Sequence, residues 1–239
     1  MGFSQTIFTA AEYIGVIAAA ISGAMVALEH ALDLFGVVFV SILTALGGGC
    51  LRDVLLGYIP PRMFDNYRYL LLATLVAIAV FVLAAVLQHQ AAPHWQKLRP
   101  LTDRVITISD AIGLGIFTVN GIQAAIDVNY GDHAFLCVFL GLTTGIGGGI
   151  LRDVLTSSTP TVLRKHIYAV ASIVGGIVYY GLLRANCPTP PAAAIGIGLI
   201  VLIRLLAAHF RWNFPRLRTP MILHSSESPE PSHTPKDSH

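Results

Sequence analysis

Seven long apolar segments, each bounded by charged or turn-forming residues, constrain this 239-residue chain more than any other feature. Each segment approaches the roughly 20 residues that a helix rising 1.5 Å per residue needs to cross about 30 Å of hydrocarbon. A membrane interior offers no water to backbone amides, and no segment shows the alternating pattern of a barrel strand. We therefore predict an all-α integral membrane protein with seven transmembrane helices. The predicted spans are 10–29, 33–57, 66–88, 105–127, 133–157, 163–183 and 192–210.

The composition excludes several other classes of protein. Charged residues make up only 12% of the chain, against about 25% in an average soluble protein. The spans contain no His-rich metal constellation, Ser/Lys dyad or phosphate-binding loop of the GxxxxGK[ST] type, so we expect no enzyme and no cofactor. The three cysteines lie far apart and form no CxxC pair, which argues against a disulfide framework or a zinc site. A net charge of +2 gives no reason to expect a nucleic-acid partner.

The chain contains an internal repeat. Residues 35–55 align with residues 135–155 without a gap, and twelve of the twenty-one positions are identical. Both copies contain the sequence GGGxLRDVL, at 47–55 and 147–155. A looser match pairs Gly15 with Gly113, Gly23 with Gly121, and Pro60 with Pro160.

The repeated unit comprises three helices and occurs twice. Because three is odd, the second unit enters the bilayer from the opposite side, so we predict two inverted repeats related by an axis in the membrane plane. In many transporters with this plan the working site lies near the midplane, at the repeat interface. We predict a first repeat with its following cytoplasmic loop at 1–104, a second at 105–185, a seventh helix at 186–212 and a disordered cytoplasmic tail at 213–239.

The distribution of Lys and Arg predicts the orientation in the membrane. Loops on the side of the amino terminus hold three of these residues: Arg62, Arg68 and Arg184. Loops on the opposite side hold eight, namely Lys97, Arg99, Arg104, Arg164, Lys165, Arg211, Arg216 and Arg218. Since basic residues are retained in the cytoplasm, we predict an external amino terminus and a cytoplasmic carboxyl terminus. The first span lacks the basic lead-in of a signal peptide and is treated as a mature helix.

Each repeat contains three consecutive glycines inside a span. A glycine in a helix interior costs up to about 1 kcal/mol relative to Ala in water, so we expect a kink or a short unwound turn at each triad. Backbone carbonyls freed there would face a water-filled cavity and replace part of a cation's hydration shell. The alternative is that the small residues let helices pack closely. The candidate pore-lining residues are Gly47, Gly48, Gly49, Gly147, Gly148 and Gly149.

Polar residues flank both triads. An Arg-Asp pair follows each triad about 10 Å from the bilayer centre at 1.5 Å per residue, where it could form a polar lining or gate at each end of a conduit, or an interfacial anchor. A threonine precedes each triad by three residues. The candidate pore-flanking residues are Thr44, Arg52, Asp53, Thr144, Arg152 and Asp153.

Two further charged residues lie within the predicted spans. Asp110 lies early in the fourth span, where an interfacial position would satisfy it. Arg204 lies in the seventh span and requires a partner because a buried charge is costly there. The sequence does not identify that partner.

With the doubled GGGxxRDV element and seven spans, the chain resembles the prokaryotic branch of the trimeric intracellular cation (TRIC) channel family, also called a glycine transporter domain. The resemblance covers residues 10–210. It implies a homotrimer in the bacterial inner membrane, with one pore per protomer that is bent at both triads and passes monovalent cations such as potassium or sodium. The animal branch carries a different, lysine-bearing motif, so its phosphoinositide control is not implied.

Two functions remain open from the sequence. The first is a cation channel whose path runs beside the two triad-bearing helices. The second is a secondary transporter of glycine or another small zwitterion, held by half-helix ends at the repeat interface. The inverted repeat favours a carrier by architecture, whereas the resemblance favours a channel. The lipid bilayer is the partner in either case.

Overall fold

The computed structural model describes residues 3–64, 66–90, 95–164 and 167–210. Over these residues the chain is helical without strands, and seven helices are long and apolar enough to cross a membrane. The helices are α1 (Phe3–Glu29), α2 (Leu34–Leu55), α3 (Tyr67–Gln90), α4 (Trp95–Ala125), α5 (Ala134–Leu155), the single turn α6 (Thr161–Arg164), α7 (Ile167–Arg184) and α8 (Thr189–His209). The predicted fold class and the seven spans are confirmed.

Two helices begin well before their predicted spans, and α1 starts at Phe3 rather than at residue 10. Helix α4 begins at Trp95, ten residues before the predicted start, and continues into a π-helical turn over Ile126–Tyr130. The early residues are more polar than a membrane span allows, so hydropathy alone places the start too late. The division of the chain into domains stays a prediction, and the tail at 213–239 lies outside the described residues.

Helices α2 and α5 end in the same way. After each Arg-Asp-Val sequence the backbone closes a Schellman motif, in which Tyr58 N donates to Asp53 O and Ser158 N donates to Asp153 O, both at 2.8 Å. The residue before each donor has a positive φ, +79° at Gly57 and 53° at Ser157. These caps fix the Arg-Asp pairs in the last turn of their helices.

The repeat organises the bundle. Helix α2 packs on α5 at the centre, α1 contacts α2 and α4, and α4 contacts α5. Helix α7 is the third helix of the second repeat, and α8 packs against α4 and α7 from outside the repeat. Helix α3 lies at the periphery, where Ala73 and Ala77 are its only buried side chains in its described part. We call the end of the bundle where α1 begins the amino-terminal face, and the end where α8 finishes the carboxyl-terminal face.

Candidate functional site

The two glycine triads meet where α2 and α5 pack together. A Cβ atom added to Gly48 would overlap the carbonyl oxygen of Thr144, and one added to Gly148 would overlap that of Thr44. The contact is reciprocal, as the repeat symmetry requires. The middle glycine of each triad is therefore needed for the close approach of the two central helices.

Both helices keep helical hydrogen bonding through their triads, from Leu34 to Leu55 and from Ala134 to Leu155. The short unwound turn that the sequence suggested is therefore not what these two helices form. The middle glycines instead fit the alternative, in which small residues let the two helices pack closely. A bend at the triads stays a prediction.

The third glycine of each triad faces polar side chains. A Cβ atom on Gly49 would come no closer to its neighbours than 3.8 Å, from Arg52 Nη2. On Gly149 the nearest atom would be the Tyr168 hydroxyl at 3.3 Å. In each triad the first two glycines thus lie at the contact between helices, and the third borders a polar site.

The first-repeat site, comprising Glu12, Arg52, Asp53 and Tyr69, borders a cavity of about 700 Å³. Exposed Arg62 lies at its amino-terminal rim. The carboxylates of Glu12, Asp53 and Asp127 line this cavity, together with two guanidinium groups and the aromatic rings of Phe8, Phe117 and Tyr69. Deep in the cavity lies buried Thr144, which belongs to the other repeat.

The two carboxylates of the first-repeat site accept different sets of hydrogen bonds. Asp53 is buried and accepts three hydrogen bonds, because Arg52 donates to its Oδ1 through Nε at 2.9 Å and Nη2 at 2.8 Å while Arg62 N donates to its Oδ2 at 3.0 Å. Glu12 accepts from the Tyr69 hydroxyl at 2.6 Å and, weakly, from Asn120 Nδ2 at 3.4 Å. Since an ionised carboxylate offers about four acceptor positions, Glu12 retains acceptors that face the cavity.

The second-repeat site, comprising Asp110, Arg152, Asp153 and Tyr168, is closed. Arg152 is 2% exposed and donates to Asp153 Oδ1 at 2.8 Å, and through Nη1 to Ser22 Oγ at 2.7 Å and Asp110 Oδ1 at 2.9 Å. The adjoining cavity measures about 10 Å³, near the lower limit for one water molecule at about 10–15 Å³. The two ends of the α2–α5 pair therefore differ, since one is open and the other filled by ion pairs.

Arg204 from α8 completes the second-repeat site. Its Nη2 lies 3.6 Å from Asp110 Oδ2, and its Cζ lies 4.4 Å from the centre of the Tyr168 ring. Asp110 is the partner that the sequence could not identify. Asp110 is itself 8% exposed and holds two guanidinium groups, so buried ion pairs satisfy it; its interfacial depth stays a prediction.

Each site is built from both repeats. With Gly15 aligned on Gly113, Glu12 corresponds to Asp110, and Ser22 corresponds to Asn120. Asn120 nevertheless contacts Glu12 in the first-repeat site, whereas Ser22 contacts Arg152 in the second. The two threonines follow the same rule. Thr144, from the second repeat, lines the first cavity, and Thr44, from the first repeat, lines the second.

The loops after α2 and α5 correspond with a shift of one residue. Asp53 Oδ2 accepts from Arg62 N, nine residues later, whereas Asp153 Oδ2 accepts from Thr161 N, eight residues later. The first loop is therefore one residue longer, and Pro61 rather than Pro60 is the counterpart of Pro160.

The structure brings the predicted site residues into two groups and adds others. Thr44 and Thr144 donate their hydroxyls to Val40 O and Leu140 O of their own helices, both at 2.6 Å. The sequence reasoning overlooked Glu12, which the repeat alignment with Asp110 could have revealed. It also assigned no role to the residues Ser22, Asn120, Tyr69 and Tyr168.

Comparison with known proteins identifies the class to which this architecture belongs. The family model described as "Glycine transporter" matches residues 9–85 and 107–184, once in each repeat. The inner membrane protein YadS of Escherichia coli K12 is 34% identical over 208 residues, covering 85% of this chain and 93% of YadS. The chain therefore belongs to the prokaryotic TRIC family, whose family model carries the glycine transporter description.

Solved structures extend the likeness to three dimensions. A crystal structure of a prokaryotic TRIC channel in 0.5 M KCl is 32% identical with a TM-score of 0.76, covering 88% of this chain and all of that channel. The TRIC orthologue from Rhodobacter sphaeroides is 28% identical with the same TM-score, covering 87% of this chain and all of the orthologue. These relatives are membrane proteins and channels, which confirms the prediction that the chain is not an enzyme.

Proposed function

We propose that this protein is a cation channel whose path joins the first-repeat and second-repeat sites alongside the α2–α5 pair. The difference between the two sites is the observation that supports the proposal. One site opens to a cavity of about 700 Å³, and its counterpart in the other repeat is closed around ion pairs. The similar solved structures, described as TRIC cation channels, support the same function.

The charge of the open cavity favours cations. Three carboxylates line it against two guanidinium groups, and the ion pair between Arg52 and Asp53 neutralises one of each. Glu12, Asp127 and Arg62 remain, which leaves an excess of one negative charge; Asp127 and Arg62 are both exposed, and Glu12 is half-buried. A cavity with low-dielectric walls and an excess of one charge raises the local concentration of the opposite ion.

The finer parts of the proposal come from the family resemblance and, for the orientation, from the distribution of Lys and Arg. Each protomer of a homotrimer would hold its own pore, and potassium or sodium would be the permeant ion. The amino terminus would lie outside the bacterial inner membrane, and the carboxyl terminus in the cytoplasm. Bending of α2 and α5 at Gly47–Gly49 and Gly147–Gly149 would open the closed site, since these positions carry no side chains to resist it.

Reconstitution into planar bilayers tests the proposal. Stepwise unitary currents, with a reversal potential that follows the potassium gradient rather than the chloride gradient, are expected. Saturable uptake of glycine into proteoliposomes without unitary steps would instead establish the carrier. That alternative has one observation in its favour, because an inverted repeat open at one end and closed at the other also suits alternating access.

A further inference from the structure

Helix α8 brings into the second-repeat site a guanidinium group that the repeat does not provide. Arg204 lies on a helix outside both repeats and is 4% exposed. Among the described residues of the first-repeat site no guanidinium group pairs with Glu12, since Arg52 pairs with Asp53 and Arg62 lies at the exposed rim. The extra cation therefore distinguishes the two ends of the α2–α5 pair.

The two equivalent carboxylates differ in their cationic partners. Glu12 accepts hydrogen bonds from two neutral donors and borders the cavity of about 700 Å³. Asp110 contacts two guanidinium groups, Arg152 through Oδ1 at 2.9 Å and Arg204 through Oδ2 at 3.6 Å, and its cavity measures about 10 Å³. Without Arg204, Asp110 would lose one of its two guanidinium partners and keep only Arg152.

Arg204 is held loosely for a buried cation. A guanidinium group has five N–H donors, yet Nε of Arg204 is buried without a hydrogen-bond partner among the described residues. Its contact with Asp110 is longer than the roughly 2.7–2.9 Å of a charge-assisted hydrogen bond. By contrast, Arg152 makes three contacts between 2.7 and 2.9 Å. Arg204 is therefore the guanidinium group that can leave Asp110 at the lower cost.

We propose that Arg204 is a tethered cation that closes the carboxyl-terminal end of the path by occupying the place of a permeating cation at Asp110. The inference rests on the proposed channel function and assigns this role to α8. Opening requires Arg204 to withdraw from Asp110 Oδ2, where a monovalent cation then takes over. Arg152 stays bound to Asp153 and maintains the polar lining.

Thiol accessibility tests the closure independently of any current. Ala19 lines the small cavity and is 5% exposed, so Ala19→Cys reports whether water reaches this site. Purified Ala19→Cys and Ala19→Cys/Arg204→Gln proteins in lipid nanodiscs are treated with a charged thiol reagent, and mass spectrometry localises the label to residue 19. We expect Arg204→Gln to accelerate labelling about tenfold, the low end of the coupling between close charge pairs. An unchanged rate would overturn the proposal.

Matched variants separate charge from fold. Arg204→Lys keeps the cation and should label as slowly as the parent. Arg204→Met keeps the length of the side chain without its charge, and it replaces the Gln variant if that protein elutes as an aggregate on size exclusion. Arg184→Gln removes an arginine from an exposed ion pair with Asp132 and should leave the rate unchanged. Fast labelling of the Lys variant would also overturn the proposal.

Bilayer recordings distinguish failure of the proposed channel function from failure of the proposed role of Arg204. Arg204→Gln should increase open probability and shift the reversal potential further toward that of potassium, since it unmasks a carboxylate. If the parent protein gives no unitary current but the Gln variant labels quickly, the closure by Arg204 stands and the channel function fails. If the parent conducts and neither labelling nor open probability changes, the channel function stands and the role of Arg204 fails.

Discussion

The carbonyl oxygen of Thr144 lies so close to Gly48 that no side chain fits between the two central helices. The reverse contact, between Thr44 and Gly148, is equally close. The middle of each glycine triad therefore determines the spacing of α2 and α5, and with it the shape of both polar sites.

Gly48→Ala should destabilise the protein, whereas Gly49→Ala should not. The added methyl at residue 48 meets a backbone atom of the opposite helix, which cannot rotate away, and overpacking of this kind costs about 1–3 kcal/mol. At residue 49 the nearest atom is 3.8 Å away. Thermal unfolding in detergent, followed by fluorescence-detected size exclusion, compares the two variants. Equal melting temperatures would mean that the helices do not pack through Gly48.

Asp153→Ala should lower stability more than Asp53→Ala. Arg152 is 2% exposed, and loss of Asp153 leaves two buried guanidinium groups to share Asp110. Breaking a buried ion pair in this way costs about 3–5 kcal/mol. Arg52 borders the large cavity and can be hydrated when Asp53 is removed. The same melting assay measures both variants, and a larger loss for Asp53→Ala would contradict the difference in burial.

Glu12→Gln should reduce unitary conductance several-fold and weaken selectivity for cations over anions. The change removes a carboxylate from the cavity while preserving the size of the side chain and an acceptor for the Tyr69 hydroxyl. Local enrichment of a permeant ion depends on such charge and falls as ionic strength rises. Bilayer recordings in low and high KCl should therefore show the larger effect at low salt. Asp132→Asn, at an exposed ion pair, is the matched control.

Ala124→Cys should react with a membrane-impermeant thiol reagent added to intact cells, while Ala19→Cys should not. Ala124 lines the open cavity on the amino-terminal face, which the distribution of basic residues predicts to be external. Ala19 lines the closed cavity at the other end. A background without native cysteines avoids labelling at Cys50. Labelling of Ala124→Cys only in inverted membrane vesicles would reverse the predicted orientation.

Much of the fold could be predicted because its signals are local. Hydrophobic length identified seven spans, and the doubled GGGxLRDVL sequence identified the inverted repeat. The same repeat indicated that Arg52 and Arg152 occupy equivalent positions. Hydropathy misplaced the start of α4, since its first residues extend beyond the apolar core.

The site itself was only partly predictable, because it depends on contacts between distant segments. Arg152 bonds Ser22 across 130 residues, and Asn120 contacts Glu12 across 108. Neither pairing follows from periodicity or spacing within a single helix. Glu12 was overlooked for a different reason, since a lone carboxylate near the start of a span resembles an interfacial residue.

The sequence by itself determined that the chain crosses a membrane as seven helices in two inverted repeats, because backbone hydrogen bonding in hydrocarbon permits few alternatives. Only the tertiary structure decided that the two equivalent sites differ. The repeat predicts equal ends, but α8 lies outside the repeat and adds Arg204 to one of them. The packing of that helix places a second guanidinium group on Asp110, whereas the equivalent Glu12 faces an open cavity.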